Sequence, residues 1–187
     1  MPFLVHKTAL PGVLTIETEK FADGRGFFME TYHQGKYAEG GMDRIFVQDN
    51  YSHSKKGVLR GLHYQLNHPQ EKLIYVISGE IFDVVLDIRV GSPTFGKWVG
   101  THLSRKNRRQ IFLAGGFAHG FCVLSTSAGV IYKCTDFYYP EDEYGILWSD
   151  PRIHIDWPVK NPLLSEKDRR YPILNEIPQA RLPVHRR

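Results

Sequence analysis

The chain has 187 residues, of which 42% are hydrophobic and 13% aromatic, with 17 glycines and 11 prolines. This length suits one domain with a substantial core, and the composition favours an all-β fold with many turns over a helical one. The net charge of +4 comes without a dense basic run, which argues against a nucleic-acid-binding protein, and no stretch approaches the ~20 apolar residues of a membrane span.

The first quarter of the chain predicts short strands and one short helix. Alternating apolar residues and turn-forming residues indicate, in order, a strand at 12–21, a turn at 23–26, a strand at 27–32, a helix at 32–41 and a strand at 45–51. In the last of these strands, the period of two places Gln48 and Asn50 on one side and Val47 on the other. The polar residues 52–56 are expected to form a loop.

Residues 57–65 combine a strand pattern with two polar side chains. Gly57 and Gly61 allow a bend or a bulge, while Arg60 and His63 lie among apolar neighbours. Because an unpaired buried charge is costly, the strand either turns these side chains to water or places them in a functional site. His63 is of particular interest because histidine titrates near neutral pH.

The rest of the chain predicts more strands separated by turns. The pattern indicates strands at 73–77 and 80–89 joined by Ser78-Gly79, strands at 98–103, 109–113, 120–124 and 129–138, an acidic turn at 140–144, short strands at 146–148 and 153–157, and a helix at 164–170. The tail, at about 172–187, is expected to lie extended. About ten to twelve short strands without a repeat or a linker predict one all-β domain over residues 1–187, a double-sheet barrel or jelly roll.

The cysteines and the N-terminal residues indicate the cellular compartment in which the protein is expected. Cys122 and Cys134 have no metal-like spacing, so free buried thiols in a reducing cytosol are the expectation. Residues 1–12 carry no apolar run of signal-peptide length. These features predict a soluble, cytoplasmic protein.

The spacing from Gly57 to Gly79 resembles the first motif of metal-binding cupins, which are β-barrel proteins. Where that motif has His, His and Glu, this chain has His63, Gln65 and Lys72, and a second motif ends at His119. A lysine ammonium has no lone pair to give a metal ion, which needs several neutral or anionic donors in one place. The sequence therefore predicts the cupin slots without the metal.

Six further motifs stand in sequence order between residues 12 and 172. They are Asp23-Gly24-Arg25-Gly26-x-Phe28-x-Glu30, Gln48-Asp49-Asn50-x-Ser52, Arg60-Gly61-Leu62-His63-Tyr64-Gln65, Gly116-Phe117-Ala118-His119-Gly120-Phe121, Tyr132-Lys133 and Leu164-Ser165-x-Lys167-Asp168. Together they resemble the dTDP-4-dehydrorhamnose 3,5-epimerase family, while the tail after residue 174 carries none of the resemblance. The resemblance implies a homodimeric cupin jelly roll without a cofactor. It also implies an enzyme that inverts C3 and C5 of dTDP-4-dehydro-6-deoxy-D-glucose on the way to dTDP-L-rhamnose, a donor for cell-surface sugars.

Inversion beside a ketone requires a base, a group that holds the enolate oxygen and an acid on the opposite face. The resemblance assigns His63 as the base with Asp168 as its partner, and Tyr132 matches the opposite-face acid. Lys72 fits the group that holds the enolate. Each residue alone has an ordinary interpretation, such as a core tyrosine for Tyr132 or a helix-end charge for Asp168. Their joint occurrence in family order favours catalysis.

The resemblance also implies substrate-binding residues. Arg25, Arg60 and Lys167 match contacts to the nucleotide-sugar, and their charges suit a pyrophosphate. The other predicted binding residues are Glu30, Gln48, Asp49, Asn50, His119 and Glu143. In the family, Arg25 and Glu30 lie on an N-terminal arm, at about 1–35, that reaches across the dimer.

Three other functions share some of these features. A metal cupin such as a dioxygenase requires His at position 65 and Glu at position 72, which are absent. A carbohydrate-binding jelly roll has no need for a His–Asp pair with a facing lysine and tyrosine. A related enzyme that inverts only C5 or only C3 of a dTDP-deoxysugar shares the same base and acid, so the motifs leave this alternative open.

Overall fold

The computed structural model describes residues 3–185, and most of its regular structure is strand. The strands are β1 (Phe3–Lys7), β2 (Val13–Thr18), β3 (Lys20–Asp23), β4 (Gly26–Met29), β5 (Gln48–Lys55), β6 (Leu59–Gln65), β7 (Lys72–Ser78), β8 (Glu80–Asp87), β9 (Trp98–Ser104), β10 (Arg109–Leu113), β11 (Phe117–Val123), β12 (Ser127–Cys134) and β13 (Glu143–Gly145). The helical segments of these residues are α1 (Gln34–Glu39), α2 (Glu166–Arg169) and 3-10 turns at Pro140–Asp142, Leu174–Glu176 and Gln179–Arg181.

Two antiparallel sheets form the body of the protein. One sheet has six strands in the order β1-β2-β10-β7-β12-β5, and the other has five in the order β13-β6-β11-β8-β9. Many neighbours in each sheet are distant in the chain, as β2 and β10 are, which is typical of a jelly roll rather than a meander. The predicted all-β, double-sheet jelly roll is confirmed.

An apolar core fills much of the space between the two sheets. Inward residues of both sheets form it, among them Val13, Ile74, Ile111, Val85 and Phe121. Because successive side chains of a strand point to opposite faces, each strand also presents residues away from this core. The outer faces therefore need cover of their own.

The C-terminal segment covers the outer face of the five-stranded sheet, so the prediction of an extended tail is wrong. Leu174, Ile177 and Leu182 are buried, and they belong to the same apolar cluster as Val84 and Leu86 of β8. The 3-10 turns of this segment bring the three apolar residues to one side of the chain. Because these apolar residues are widely spaced, they give no periodic signal in the sequence. They are buried because they cover a sheet face that would otherwise be exposed to solvent.

Helix α1 covers part of the outer face of the six-stranded sheet. Tyr37 of α1 and Met42 just after it pack in one cluster with Ile16, Leu73 and Phe112. His33 caps the helix by accepting a hydrogen bond from the Lys36 backbone N–H. The predicted helix at 32–41 is therefore confirmed, with shorter bounds.

Three local predictions differ from the structure. The predicted loop at 52–56 is mostly the second half of β5, whose polar residues are tolerated because β5 lies at the edge of its sheet. The short strands predicted at 146–148 and 153–157 are not strands, although Ile146 and Ile153 are buried. Strand β1 was not predicted. It pairs with β2 as the opposite edge of the six-stranded sheet.

A hairpin of β3 and β4 forms a separate two-stranded sheet. Its aromatic residues Phe21, Phe27 and Phe28 are exposed, Phe28 to 63%. Large exposed aromatic groups on a single hairpin indicate a contact surface. In the part of the chain that is described, no helix is long and apolar enough to cross a membrane.

Candidate active site

An open cavity of about 410 Å³ lies between the two sheets. All four predicted catalytic residues line it, together with the predicted binding residues Gln48, Asn50, Arg60, His119, Glu143 and Lys167. These residues come from strands and a helix that are far apart in the chain. The fold therefore brings most of the predicted site together.

The two sheets contribute different chemistry to the cavity. His63 lies on β6 of the five-stranded sheet, whereas Lys72 on β7 and Tyr132 on β12 belong to the six-stranded sheet. Because the sheets face each other, the imidazole and the phenol come from opposite walls. A ring-shaped ligand held between the walls would meet one group on each face.

The position of His63 in β6 depends on a close approach between two glycines. Gly61 has a φ of +130°, and a Cβ at this position would lie 2.5 Å from Gly120 Cα on β11. The β6–β11 register shifts between His119 and Phe121, and His63 lies directly opposite His119. This register shift confirms the predicted irregularity around Gly61. Only a residue without a side chain fits there, because a Cβ would collide with the Gly120 backbone.

Asp168 forms the closest contact to His63. Its Oδ1 lies 2.6 Å from His63 Nε2, and the carboxylate is almost fully buried. Ser165 caps α2 by accepting a hydrogen bond from the Asp168 backbone N–H, which fixes the start of the helix that carries Asp168. Burial alone would raise the pKa of Asp168, but the hydrogen bond and charge of His63, with Ser165, lower the pKa overall. The pair therefore contains an ionised carboxylate.

Glu143 approaches the other ring nitrogen of His63. Its Oε1 lies 3.7 Å from His63 Nδ1, while its Oε2 accepts hydrogen bonds from Tyr138 Oη, at 2.9 Å, and from Lys167 Nζ. Burial works to raise the pKa of Glu143, but Lys167, His63 and Tyr138 together lower it. The imidazole thus lies between two carboxylates, and Nδ1 is the nitrogen that Asp168 leaves free.

Lys72 brings a positively charged side chain to the cavity. Within residues 3–185, its Nζ makes no hydrogen bond or ion pair. Burial lowers the pKa of Lys72, and the nearby Cys134, Glu143 and Asp83 only partly oppose this effect. An ammonium without a partner at such a site is ready to bind an anionic oxygen of a ligand.

Tyr132 presents a protonated hydroxyl to the cavity. Burial raises the pKa of this phenol, and the neighbouring Cys134 adds to the effect. Its hydroxyl has no hydrogen-bond partner among the residues that the structure describes. The group can therefore donate its proton to a ligand.

A second histidine–aspartate pair lies beside the first. His119 Nε2 is 2.8 Å from Asp83 Oδ2, and Asp83 is fully buried on β8. Sequence reasoning gave Asp83 no role, although an aspartate on the inward face of an apolar strand was a usable signal. Tyr138, which also lines the cavity, was missed because it follows the strands without a motif of its own.

Gln65 has a structural role. Its amide donates to the carbonyls of His68 and Phe137, and its Oε1 accepts from the Tyr139 N–H at 2.8 Å. The side chain that replaces a cupin metal ligand thus fastens the loop beside the cavity. Among residues 3–185, no three His, Cys, Asp or Glu side chains converge in a group that could hold a metal ion.

Two amides form one polar edge of the cavity. Gln48 Nε2 donates to Asn50 Oδ1 at 2.9 Å, and the Tyr138 N–H donates to Gln48 Oε1. The predicted alternation in β5 is confirmed for both residues. Asp49, between them, points to the other face of the sheet and pairs with Lys133.

The structure does not bring the remaining predicted binding residues to the cavity. Arg25, at the tip of the β3–β4 hairpin, is exposed and pairs with Asp23. Glu30 pairs with Lys36 of α1. Together with Asp49, these residues lie outside the cavity of their own chain.

Comparison with known proteins places these features in context. The family model described as dTDP-4-dehydrorhamnose 3,5-epimerase matches residues 7–176. A dTDP-4-dehydrorhamnose 3,5-epimerase of Shigella flexneri is 57% identical over 166 residues, which cover 88% of this chain and 92% of that protein. One of Neisseria gonorrhoeae is 57% identical over 162 residues, which cover 86% of this chain but only 49% of that longer protein.

A solved structure is similar over the whole length. The dTDP-6-deoxy-D-glucose-3,5-epimerase of Legionella pneumophila Philadelphia 1, in complex with dTDP-4-keto-L-rhamnose, has a TM-score of 0.97 and 48% identity, and the match covers 100% of both chains. The similarity therefore includes both sheets, the hairpin and the C-terminal segment.

Proposed function

The chain belongs to the dTDP-4-dehydrorhamnose 3,5-epimerase family, and from this premise we propose how its cavity converts dTDP-4-dehydro-6-deoxy-D-glucose to dTDP-4-dehydro-L-rhamnose, an intermediate of dTDP-L-rhamnose biosynthesis. The observation that carries the mechanism is the placement of His63 and Tyr132 on opposing sheets. Inversion requires that a proton leave one face of a carbon and return to the other. Two proton-transfer groups on opposite walls meet this requirement.

His63 is the base that removes the proton from the carbon next to the ketone. Its Nδ1 is the nitrogen left free by Asp168, so the substrate C–H lies on that side of the ring. Asp168 holds the tautomer and stabilises the imidazolium that forms, as the carboxylate of a catalytic triad does. Glu143, at 3.7 Å, adds a second negative charge that favours the same imidazolium.

Lys72 stabilises the enolate. Removal of the C–H proton places negative charge on the C4 oxygen, and a fixed cation directed at that oxygen lowers the barrier. Lys72 suits this role because its ammonium lines the cavity and is unpaired within residues 3–185. Burial lowers the pKa of Lys72 because the ammonium is desolvated, so an anionic oxygen would be a favourable partner for it.

Tyr132 completes each inversion. Its phenol gives a proton to the carbon from the face opposite His63, which leaves a phenolate on Tyr132 and an imidazolium on His63. Exchange with solvent removes the proton from His63 and returns one to Tyr132. The same pair then acts at the second carbon, because C3 and C5 both flank the C4 ketone.

The remaining cavity residues bind the nucleotide-sugar. Arg60 and Lys167 supply positive charge for the pyrophosphate, and Gln48 and Asn50 offer amide groups to uncharged parts of the ligand. His119, fixed by Asp83 and directly opposite His63 in register, binds beside the sugar. Glu143 orders Lys167 and Tyr138 at the mouth of the same cavity.

We further propose a homodimer in which the hairpin serves the partner's cavity. The exposed aromatic residues Phe21, Phe27 and Phe28 support a contact surface on this hairpin. Arg25 and Glu30, which do not reach their own cavity, would then bind the substrate held by the partner. Asp49, which pairs with Lys133, stays a predicted substrate-binding residue. The two free buried cysteines are in keeping with a cytoplasmic location.

The reaction requires no metal ion, because a lysine and a structural glutamine occupy two of the cupin ligand slots. Gln65 already uses its amide groups in three hydrogen bonds to backbone, and the Lys72 ammonium would repel a cation. Turnover should therefore be unchanged after exhaustive chelation and dialysis. Loss of activity on chelation, restored by one added divalent metal, would contradict this prediction.

Incubation with dTDP-4-dehydro-6-deoxy-D-glucose in deuterated water, followed by NMR of the product, tests the function. The double epimerase should introduce deuterium at both C3 and C5. Label at one carbon only, after long incubation, would instead identify a mono-epimerase. The His63→Ala variant is the control for exchange that does not depend on the enzyme.

A further inference from the structure

Tyr171, which no motif singled out, packs directly against the proposed base. Its ring centroid lies 5.7 Å from that of His63, and the two rings meet edge to face at 67°. This is a favourable geometry for two aromatic rings. Tyr171 follows helix α2, so the same short segment supplies both Asp168 at His63 Nε2 and an aromatic surface on the imidazole.

A hydrogen bond at one nitrogen does not by itself fix the orientation of an imidazole ring. The ring can tilt about the line that joins Nε2 to Asp168 Oδ1, and Nδ1 then moves. Proton abstraction requires Nδ1 at a defined position relative to the C–H bond. Contact with the Tyr171 ring restricts this tilt.

Gly145 makes room for the tyrosine. A Cβ at this position would lie 2.3–2.5 Å from three ring atoms of Tyr171, a distance that no packed side chain adopts. Gly145 is also the residue of β13 directly opposite His63 on β6. The backbone hydrogen bond from Leu147 N to Pro172 O, at 2.9 Å, joins the residue after Tyr171 to the chain just beyond β13. The backbone that carries the Tyr171 ring is thus tied close to the strand that pairs with β6.

The hydroxyl of Tyr171, unlike its ring, makes no favourable contact with its surroundings among residues 3–185. Among residues 3–185, this buried oxygen has no hydrogen-bond partner. A buried hydroxyl without a partner is unfavourable, so the hydroxyl explains neither the packing nor the position of the residue. Burial, and then the nearby Glu143 and Asp168, raise the pKa of Tyr171, which keeps the ring neutral beside two carboxylates.

We propose that Tyr171 is a positioning residue whose ring, seated on Gly145, holds the imidazole of His63 in the orientation that proton abstraction requires. This inference rests on the proposed role of His63 as the base. It predicts that the ring matters and the hydroxyl does not. Replacing Tyr171 with phenylalanine should therefore retain activity, whereas replacing it with a residue without a ring should reduce activity.

The test compares kcat and KM of Tyr171→Ala, Tyr171→Leu and Tyr171→Phe. We expect kcat to fall ~10- to 100-fold for alanine and leucine, with KM changed less than about threefold, because misplacing a catalytic group affects the chemical step. Tyr171→Phe should retain the wild-type kcat. Leucine keeps apolar volume in the space and so provides a folded variant if alanine destabilises the chain.

Tyr144→Ala is the matched control. Tyr144 precedes Gly145 on the same strand, but its ring stacks on Tyr64 and not on His63. Its removal should leave kcat within about threefold of the wild-type value. An unchanged kcat in Tyr171→Leu, or an equal loss in Tyr171→Phe, would overturn the proposal.

Nitrogen NMR of His63 gives a readout that a loss of packing alone would not move. In the wild type and in Tyr171→Phe, we expect one tautomer with the proton on Nε2 beside Asp168. In Tyr171→Leu, the same tautomer should persist because Asp168 still holds Nε2, while the Nδ1 signal should shift because the tilted ring changes the distance from Nδ1 to Glu143. An unchanged Nδ1 signal would overturn the proposal. If wild-type exchange survives in His63→Ala, the assignment of the base fails instead, independently of Tyr171.

Discussion

The reactivity of His63 depends on three side chains from two other parts of the chain. Asp168 binds one nitrogen, Glu143 approaches the other, and Tyr171 packs on the ring. Two carboxylates beside one imidazole place negative charge where positive charge develops as the base takes a proton. Tyr132 and Lys72, on the opposite wall, have no partner within residues 3–185. The site therefore stabilises the charge of one reacting group and leaves two groups free for the ligand.

The separation of base and acid predicts different defects for their variants. His63→Ala should reduce both exchange and inversion, by ~100- to 10,000-fold, because no other group is placed to remove the proton. Tyr132→Phe keeps the ring and deletes the hydroxyl group that would donate the proton. Its enolate can still form and recover a proton from His63, so this variant should exchange substrate protons with solvent but yield little inverted product.

Both variants are measured by deuterium incorporation and product NMR under the same conditions, after circular dichroism and substrate binding have established that they fold and bind. Inversion at the native rate by Tyr132→Phe would exclude Tyr132 as the acid. Equal loss of exchange in the two variants would exclude the assignment to opposite faces.

The ionisation of Asp168 makes the stability of the fold depend on pH. Burial favours a raised pKa, but His63 and Ser165 lower it overall. A carboxyl with a lower pKa in the folded chain than in the unfolded chain adds stability that is complete above about pH 4 and is lost as the pH falls through the lowered value. Between about pH 5 and about pH 3, Asp168→Asn should therefore lose less stability than the wild type in thermal unfolding.

The exposed Asp156 provides the control for this experiment. Asp156→Asn should follow the wild-type dependence on pH. If Asp168→Asn follows it too, Asp168 does not contribute to stability through its ionisation.

At the scale of the elements, the C-terminal segment is part of the core. Leu174 is 5% exposed and packs with residues on the outer face of the five-stranded sheet. Leu174→Ala should destabilise the protein by about 2–5 kcal/mol, since it leaves a cavity in a packed cluster. Val184→Ala, at a side chain that is 67% exposed, should change the free energy of unfolding by less than about 0.5 kcal/mol. Urea titration of both variants measures the difference, and equal stabilities would mean that the segment is not packed as described.

The same segment illustrates how far the sequence predicts the elements. Strands β7, β8 and β10 contain apolar runs bounded by turn-forming or polar residues, and these strands lie where they were predicted. Edge strands such as β1 and the second half of β5 have few buried positions, so their sequences carry little periodic signal. Leu174 and Leu182 are buried only because a sheet face at a distance in sequence needs cover, which no local pattern expresses.

The candidate site likewise contains residues that the sequence predicts and residues that only the structure reveals. The motifs predicted that His63, Lys72, Tyr132 and Asp168 act together, and the structure places them around one cavity. Asp83, beside His119, was not predicted because its partner comes from another strand. Tyr171 depends on the space that Gly145 leaves open, which only the β6–β13 register reveals.

At the scale of the whole molecule, several large apolar side chains are exposed to solvent, although other segments of the chain cover much of the outer faces of the two sheets. Phe28 of the hairpin is 63% exposed, Leu4 of β1 is 60% exposed and Tyr51 of β5 is 60% exposed. The strands β1 and β5 are the two edges of the six-stranded sheet. Exposed apolar groups on the hairpin and both edges favour assembly with a second copy, which is consistent with the proposed homodimer.

The proposed exchange of hairpins predicts that two inactive variants restore each other. In a mixed dimer of Arg25→Ala and His63→Ala, one cavity combines the intact His63 of one chain with the intact Arg25 of the other. If equal amounts are unfolded together and refolded, about half of the dimers are mixed and about a quarter of all sites are intact. Activity should therefore rise well above the sum of the two separate variants.

A mixture of His63→Ala with Lys72→Ala is the matched control, because His63 and Lys72 line the same cavity of one chain. Each mixed dimer then lacks one of the two residues in each cavity, and no site is restored. Recovery in the Arg25 mixture and not in the Lys72 mixture would establish that the hairpin serves the partner. If isolated mixed dimers of the first pair regain nothing, each site is built from a single chain, and Arg25 has no part in binding the partner's substrate.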